Sequence, residues 1–182
     1  MHPICTVCVA VLVTMVAVTA CKDTAEPESS AQRSPSPPAR SITAAPSAEP
    51  RAAALAAYRG MWSAFVAASN SGATVTPALA TYTSGSALQV LNRGLATNKR
   101  KAVTSKGSPA MSPMVTSIRP VEAPTSAMIT DCVDDTRWLL YGANGRLVDD
   151  VPGGRRHATA KVEKTNGVWK VTGFALRGTG TC

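Results

Sequence analysis

Asn166-Gly167 narrows the fold more than any other stretch of this chain. It separates two strand-like runs, 158–164 and 168–175. A two-residue type I′ turn needs positive φ at both central positions, and Asn followed by Gly tolerates that best. The turn sets Thr165 opposite Val168, Glu163 opposite Lys170 and Val162 opposite Val171. Opposite charges then meet, β-branched residues meet, and the register is self-consistent. Trp169, Val171, Ala160 and Val162 share one face. Phe174 and Leu176 fall on the other, unless Gly173 marks a bulge that returns them to the core. Upstream, 127–133 and 136–141 read as two more strands, with Asp134-Asp135 as a turn or bulge between them. Asn144-Gly145 makes the next turn, and a breaker-rich loop, 147–156, leads to a strand starting at His157. The last third of the chain therefore reads as an antiparallel meander.

The stretch before it is helical. Leu55, Tyr58, Trp62, Phe65 and Val66 recur at spacings of three and four, which predicts a helix over 51–69. Pro50 suits its first turn, and Asn70-Ser71-Gly72 stops it. Thr76 reads as the N-cap of a short helix to Tyr82. A third helix, 84–97, places Leu88, Leu91 and Leu95 on one face. Its end carries Lys99, Arg100 and Lys101, where the helix dipole favours positive charge. The runs 102–107 and 114–121 read as strands that Pro109, Pro113 and Pro120 confine to edge or end positions. Helices followed by four to six antiparallel strands make an α+β domain, with the helices on one face of a curved sheet. Residues 51–182 are enough for one such domain.

The beginning of the chain has a different character. Residues 3–20 hold no Lys, Arg, Asp or Glu, and 4–18 is strongly apolar. The run ends in Val18-Thr19-Ala20-Cys21. This resembles the lipobox of bacterial lipoproteins, an aliphatic residue and two small ones before a cysteine. The resemblance implies a signal peptide over 1–20 and a palmitate-type acyl anchor on Cys21. The bilayer is then a partner, and the chain stands on the outer face of the cytoplasmic membrane. An uncleaved membrane helix is the rival reading, since the apolar run is near the lower limit for spanning. Residues 21–50 follow as a tether, with six prolines among Ser, Ala and Glu and Ile42 as the one large aliphatic residue. With Cys5 and Cys8 in the signal and Cys21 acylated, Cys132 and Cys182 remain. In an exported chain an even remainder implies a bridge.

Helices ahead of a bent antiparallel sheet resemble the NTF2-like fold, a cone wrapped around a long N-terminal helix. Three stretches carry a narrower resemblance, to a group of secreted actinobacterial lipoproteins: Asp131-Cys132-Val133-Asp134-Asp135, the loop 147–156, and the ending from Trp169-Lys170-Val171 to Gly178-Thr179-Gly180-Thr181-Cys182. The resemblance implies an NTF2-like domain over 51–182. NTF2-like domains include isomerases, dehydratases, cyclases and pure binding modules, so fold does not choose among them.

The residues themselves favour binding over catalysis. The mature chain has one histidine, His157, beside Arg155 and Arg156, and no Gly-x-Ser-x-Gly, HExxH or CxxC. No cofactor or metal set is expected, because Asp134-Asp135 and Asp149-Asp150 adjoin turns and lack calcium-loop spacing. A cone mouth lined by Tyr58, Trp62, Arg137, Trp138 and Tyr141 suits a small apolar or anionic ligand, or another envelope protein. The rival is that these aromatics only fill the core. Asp131 or Asp134, with Tyr58 or Tyr141 as donor, supplies the alternative of an isomerase- or dehydratase-type enzyme. Residues 51–182 carry 16 Lys and Arg against 7 Asp and Glu. That surplus allows a third reading, contact with anionic envelope polymer through Lys99, Arg100 and Lys101 or Arg155 and Arg156. Location argues against nucleic acid.

Overall fold

Alanine is what lets the first helix sit so deep. The structure is a computed structural model that describes residues 48–148 and 153–182. In it α1 spans Ala48–Ser71. Its buried face combines Tyr58, Met61 and Trp62 with Ala54, Ala57, Ala64 and Ala68. The small residues allow close approach, and α1 touches α2, α3 and strands of both sheets described below. The helix begins three residues before Arg51, so the expected tether boundary at residue 50 is too late. Glu49 and Pro50 explain this: an acid suits the positive helix end, and a proline there gives up only an N–H with no helical partner. The expected signal, Cys21 and the tether up to residue 47 lie outside the described residues.

Two short helices follow, α2 (Pro77–Tyr82) and α3 (Gly85–Arg100). Thr76 is the N-cap residue of α2, as expected, although its side chain makes no capping bond. Leu79 of α2 and Ala87, Leu91 and Leu95 of α3 enter the core, and Leu88 is half-buried beside them. The strands are β1 (Val103–Gly107), β2 (Met114–Arg119), β3 (Ser126–Asp134), β4 (Trp138–Gly142), β5 (Arg155–Thr165) and β6 (Val168–Leu176). The strand of β5 thus starts two residues before His157.

The expected meander is interrupted. Strands β2-β3-β5-β6 form one antiparallel sheet, while β4 leaves it and pairs with β1 in a separate two-stranded ribbon. The cause sits in the β3–β4 turn. The Asp135 carboxylate accepts hydrogen bonds from the Gly154 amide and from Arg156 Nε, the latter at 2.7 Å. Its own amide donates to the Gly154 carbonyl at 3.1 Å. The chain after β3 is therefore tied to the start of β5, and β5 takes the place beside β3. Gly107 ends β1 at φ 85°, where a Cβ would strike the Arg137 carbonyl. Only glycine admits that approach of the two ribbon strands.

The C-terminal hairpin has the expected register. Asn166 and Gly167 have φ of 50° and 81°, and Thr165, Glu163 and Val162 face Val168, Lys170 and Val171. The register then shifts so that Lys161 faces Gly173 and Ala160 faces Phe174. Thr172 is the extra residue, and the bulge returns Phe174 to the core side. One expected pair does not form. Glu163 bonds Lys161 Nζ at 2.9 Å and Thr172 Oγ1 at 2.6 Å, while Lys170 Nζ reaches the Ala80 carbonyl at 2.7 Å. Register placed the two charges opposite each other, but the bulged hydroxyl and an orphan carbonyl at the end of α2 offered closer partners. Cys132 and Cys182 are bridged, with Cα atoms 5.9 Å apart. The described residues belong to one compact unit.

Candidate functional site

Tyr58 and Asp131 meet at the centre of the domain. The fourth-residue spacing on α1 that buries Trp62 also buries Tyr58, and the alternation of β3 turns Asp131 inward with Ile129 and Val133. Tyr58 is 0% exposed and Asp131 4%. The Tyr58 hydroxyl donates to Asp131 Oδ2 at 3.0 Å, and the Ser112 amide donates to Oδ1 at 2.7 Å. One carboxylate thereby joins the helix, the sheet and the segment before β2. Burial pushes the Tyr58 hydroxyl far above the ordinary phenol range. The Trp62 indole N–H nearby pulls it partly back, and Asp131 raises it again by charge and hydrogen bond. That indole N–H makes no hydrogen bond of proper geometry among the described residues.

This shift has a measurable sign. Above the ordinary tyrosine value of 10.0 the unfolded chain releases the Tyr58 proton while the folded chain keeps it. Stability is then expected to fall as pH rises above about 10, by up to about 1.4 kcal/mol per pH unit. Urea unfolding across that range checks it: Tyr58→Phe should flatten the alkaline slope, and an equally steep slope in the variant would count against it.

The five residues expected to line one mouth do not come together there. Trp62 is the hub of an edge-to-face aromatic cluster, with ring centroids 6.3 Å from Phe65, 6.0 Å from Trp138 and 5.6 Å from Phe174. Trp138 Nε1 donates to Asn70 Oδ1 at 3.3 Å. Tyr58, Trp62 and Trp138 are thus mainly packing residues. Tyr141 stands apart on the ribbon under Lys106, whose Nζ lies 4.6 Å from its ring centre. Arg137 is exposed in the β3–β4 turn. The shortage of aromatics in the sequence is the reason: the core takes those within its reach.

A groove does lie beside α1. It measures about 420 Å³ and runs between the helix and residues 107–111, with Trp62, Val66, Pro109 and Met111 as its apolar surfaces and Arg59 and Asn70 among its polar ones. A second depression of about 440 Å³ adjoins it across Gly107, Ser108 and Pro109 and contains Arg137. Of the expected residues, Trp62 belongs to the first and Arg137 to the second. Arg59, Val66 and Met111 line the groove and are not among the expected site residues. Positions 59, 63, 66 and 70 make a second stripe at helical spacing, which was the available signal. The opposing wall has no regular pattern to read.

The other candidate side chains are accounted for locally. Asp134 accepts from the Thr136 hydroxyl and amide at 2.6 and 3.0 Å, and these bonds hold its pKa below the usual value. Arg156 is committed to Asp135 at 2.7 Å, so Arg155 and Arg156 do not act as a free basic pair. Lys99, Arg100 and Lys101 are exposed at the end of α3. His157 and Asp131 border a groove of about 240 Å³ next to the disulfide. Asp149 and Asp150 lie outside the described residues. No group of three or more His, Cys, Asp and Glu suited to a metal ion occurs among the described residues. Nor is any helix among them long and apolar enough to cross a membrane.

No protein-family model matches the sequence, and no curated protein matches it. Solved structures similar to it include the intermembrane space region of the chloroplast protein ARC6, at 12% identity and a TM-score of 0.49, covering 71% of this chain and 97% of that one. A putative aromatic ring hydroxylase from Novosphingobium aromaticivorans matches at 14% identity and 0.42, covering 70% and 94%. A putative calcium/calmodulin dependent protein kinase II association domain from Xanthomonas campestris matches at 15% and 0.40, covering 70% and 87%. None of the three lends this chain an activity.

Proposed function

We propose that this chain is an extracytoplasmic lipoprotein, of the secreted actinobacterial type, whose NTF2-like domain binds a small ligand. Acylated Cys21 anchors it to the outer face of the cytoplasmic membrane, and the segment up to residue 47 tethers it. The observation that carries the binding reading is the groove of about 420 Å³ beside α1, within the size range of small-molecule sites and floored by apolar side chains. The alternative, acid–base catalysis by Asp131 and Tyr58, has less support. Both carboxylate oxygens already accept hydrogen bonds, and both residues are buried. A general base must reach the proton it abstracts, and Asp131, at 4% exposure, gives substrate little access.

Two experiments test the proposal. Growth with an alkyne-tagged palmitate analogue should label the protein, and Cys21→Ala should abolish the label and the membrane retention of the mature form. A label that persists in the variant overturns the anchor. For the groove, the neutral dye N-phenyl-1-naphthylamine should brighten on binding the oxidised chain from residue 22 onward. Ala67→Phe, at an exposed groove position, should block it without lowering the melting temperature. Dye binding that is absent, or indifferent to Ala67→Phe, removes the ligand reading.

A further inference from the structure

Resting on the binding reading above, we infer that the groove beside α1 takes a single-chain anionic amphiphile, with its carboxylate or equivalent head on Arg59 and its chain lying on Val66, Ala67 and Met111, over the nearly buried Trp62. Three observations converge on that chemistry. The first is charge. Arg59 is the one ionisable side chain bordering the groove, and Arg137 is the one bordering the adjoining depression. No carboxylate borders either, and none among the described residues pairs with Arg59. A guanidinium at the rim of an apolar surface selects an anion, and its planar fork matches a carboxylate in particular.

The second is the distribution of polarity. Asn70 closes the end away from Arg59. Its amide nitrogen donates to the Gly107 carbonyl at 2.9 Å, and its oxygen accepts from Ser105 and Trp138. With its oxygen and one amide hydrogen engaged internally and no charge of its own, that end has nothing to hold an anionic head group. Between the two ends the lining is apolar apart from the neutral hydroxyls of Ser63 and Ser108, so a charged head group has one place to go and a tail has the rest. The third is length. From Arg59 to Asn70 the helix rises about 16 Å at 1.5 Å per residue, the extended length of a chain of roughly a dozen carbons. The groove follows one helix face and is bounded opposite by a single segment, 107–111, so it accepts one chain rather than two.

Displacement of N-phenyl-1-naphthylamine from the chain beginning at residue 22 tests this, with each amphiphile kept below its micelle concentration. Dodecanoate should displace the dye about tenfold or more tightly than dodecyltrimethylammonium, the factor a charge-assisted hydrogen bond contributes. Arg59→Gln should weaken dodecanoate by a similar factor and leave dodecanol unchanged. Arg137→Gln removes the same charge from the adjoining depression and should leave dodecanoate within about twofold, since Arg137 is exposed and does not border the groove. Ala67→Phe should block all three amphiphiles. Equal binding of the anion and the cation, or loss of dodecanoate binding equally in both arginine variants, overturns the assignment. So does co-sedimentation with dioleoyl phosphatidylglycerol vesicles that Arg59→Gln abolishes, which would move the site to bilayer lipid. If the dye binds and Ala67→Phe blocks it while dodecanoate fails, the ligand class is wrong and the binding groove stands. If the dye itself fails, both fall.

Discussion

Cys182→Ser should lower the stability of the domain by about 4 kcal/mol, the chain-entropy value for freeing a loop of 50 residues. For a domain of this size that is a fall in melting temperature of roughly 10–20 °C. The loop contains β4, β5 and β6, so the bridge restrains the unfolded chain across most of the sheet-forming sequence. In the folded state it holds a tail with further bonds of its own. The Arg177 amide donates to the His157 carbonyl at 2.9 Å, the Gly180 amide to the Arg155 carbonyl at 2.8 Å, and the His157 amide to Thr181 Oγ1 at 2.9 Å. Thermal melts with and without dithiothreitol give the test. Reductant should shift the wild type by as much as the substitution does, and should leave the variant where it is. Cys132→Ser should match Cys182→Ser. A wild type that melts at the same temperature when fully reduced would show that the tail's hydrogen bonds suffice alone.

The second large effect is expected at Asp131. Asp131→Ala leaves the Tyr58 hydroxyl and the Ser112 amide inside the fold without acceptors, and should cost about 3–5 kcal/mol. Tyr58→Phe removes one donor, keeps the ring and opens no cavity, so its cost should be about 1–3 kcal/mol. The pair should also be coupled. Once Asp131 is gone, Tyr58→Phe removes a hydroxyl that has lost its partner and should be neutral or favourable. A double-mutant cycle by urea unfolding measures this, and additive costs would mean that the 3.0 Å contact contributes nothing of its own. The aromatic core around Trp62 should be untouched in all three variants, which near-ultraviolet circular dichroism reports.

Local chemistry made much of the fold legible. The Asn166-Gly167 turn forced one register, and the structure has it. The apolar spacing of 51–69 found α1, and the bulge at Thr172 explains why Gly173 looked out of place in a strand. Non-local competition was not legible. That β4 pairs with β1 depends on Asp135 bonding Gly154 and Arg156, contacts across about twenty residues that no periodicity announces. The same holds for Glu163, whose partner was decided by a bulged hydroxyl. At the site, pattern identified Trp62 as apolar and helical but not that Trp138 and Phe174 would close around it. The sequence offers Asp131 or Asp134 as an inward carboxylate and Tyr58 or Tyr141 as its donor, and Asp131 and Tyr58 are the two that meet. Its second donor, the Ser112 amide, belongs to an irregular segment whose path the sequence leaves open.

The length of α1 has a consequence for the proposed groove. The helix begins at Ala48, and Arg59 lies about 16 Å along it, with Asn70 about 33 Å along. A ligand held as proposed would lie along the second half of the helix, toward Ser71, and substitutions in the first turn at Glu49 or Pro50 would not touch it.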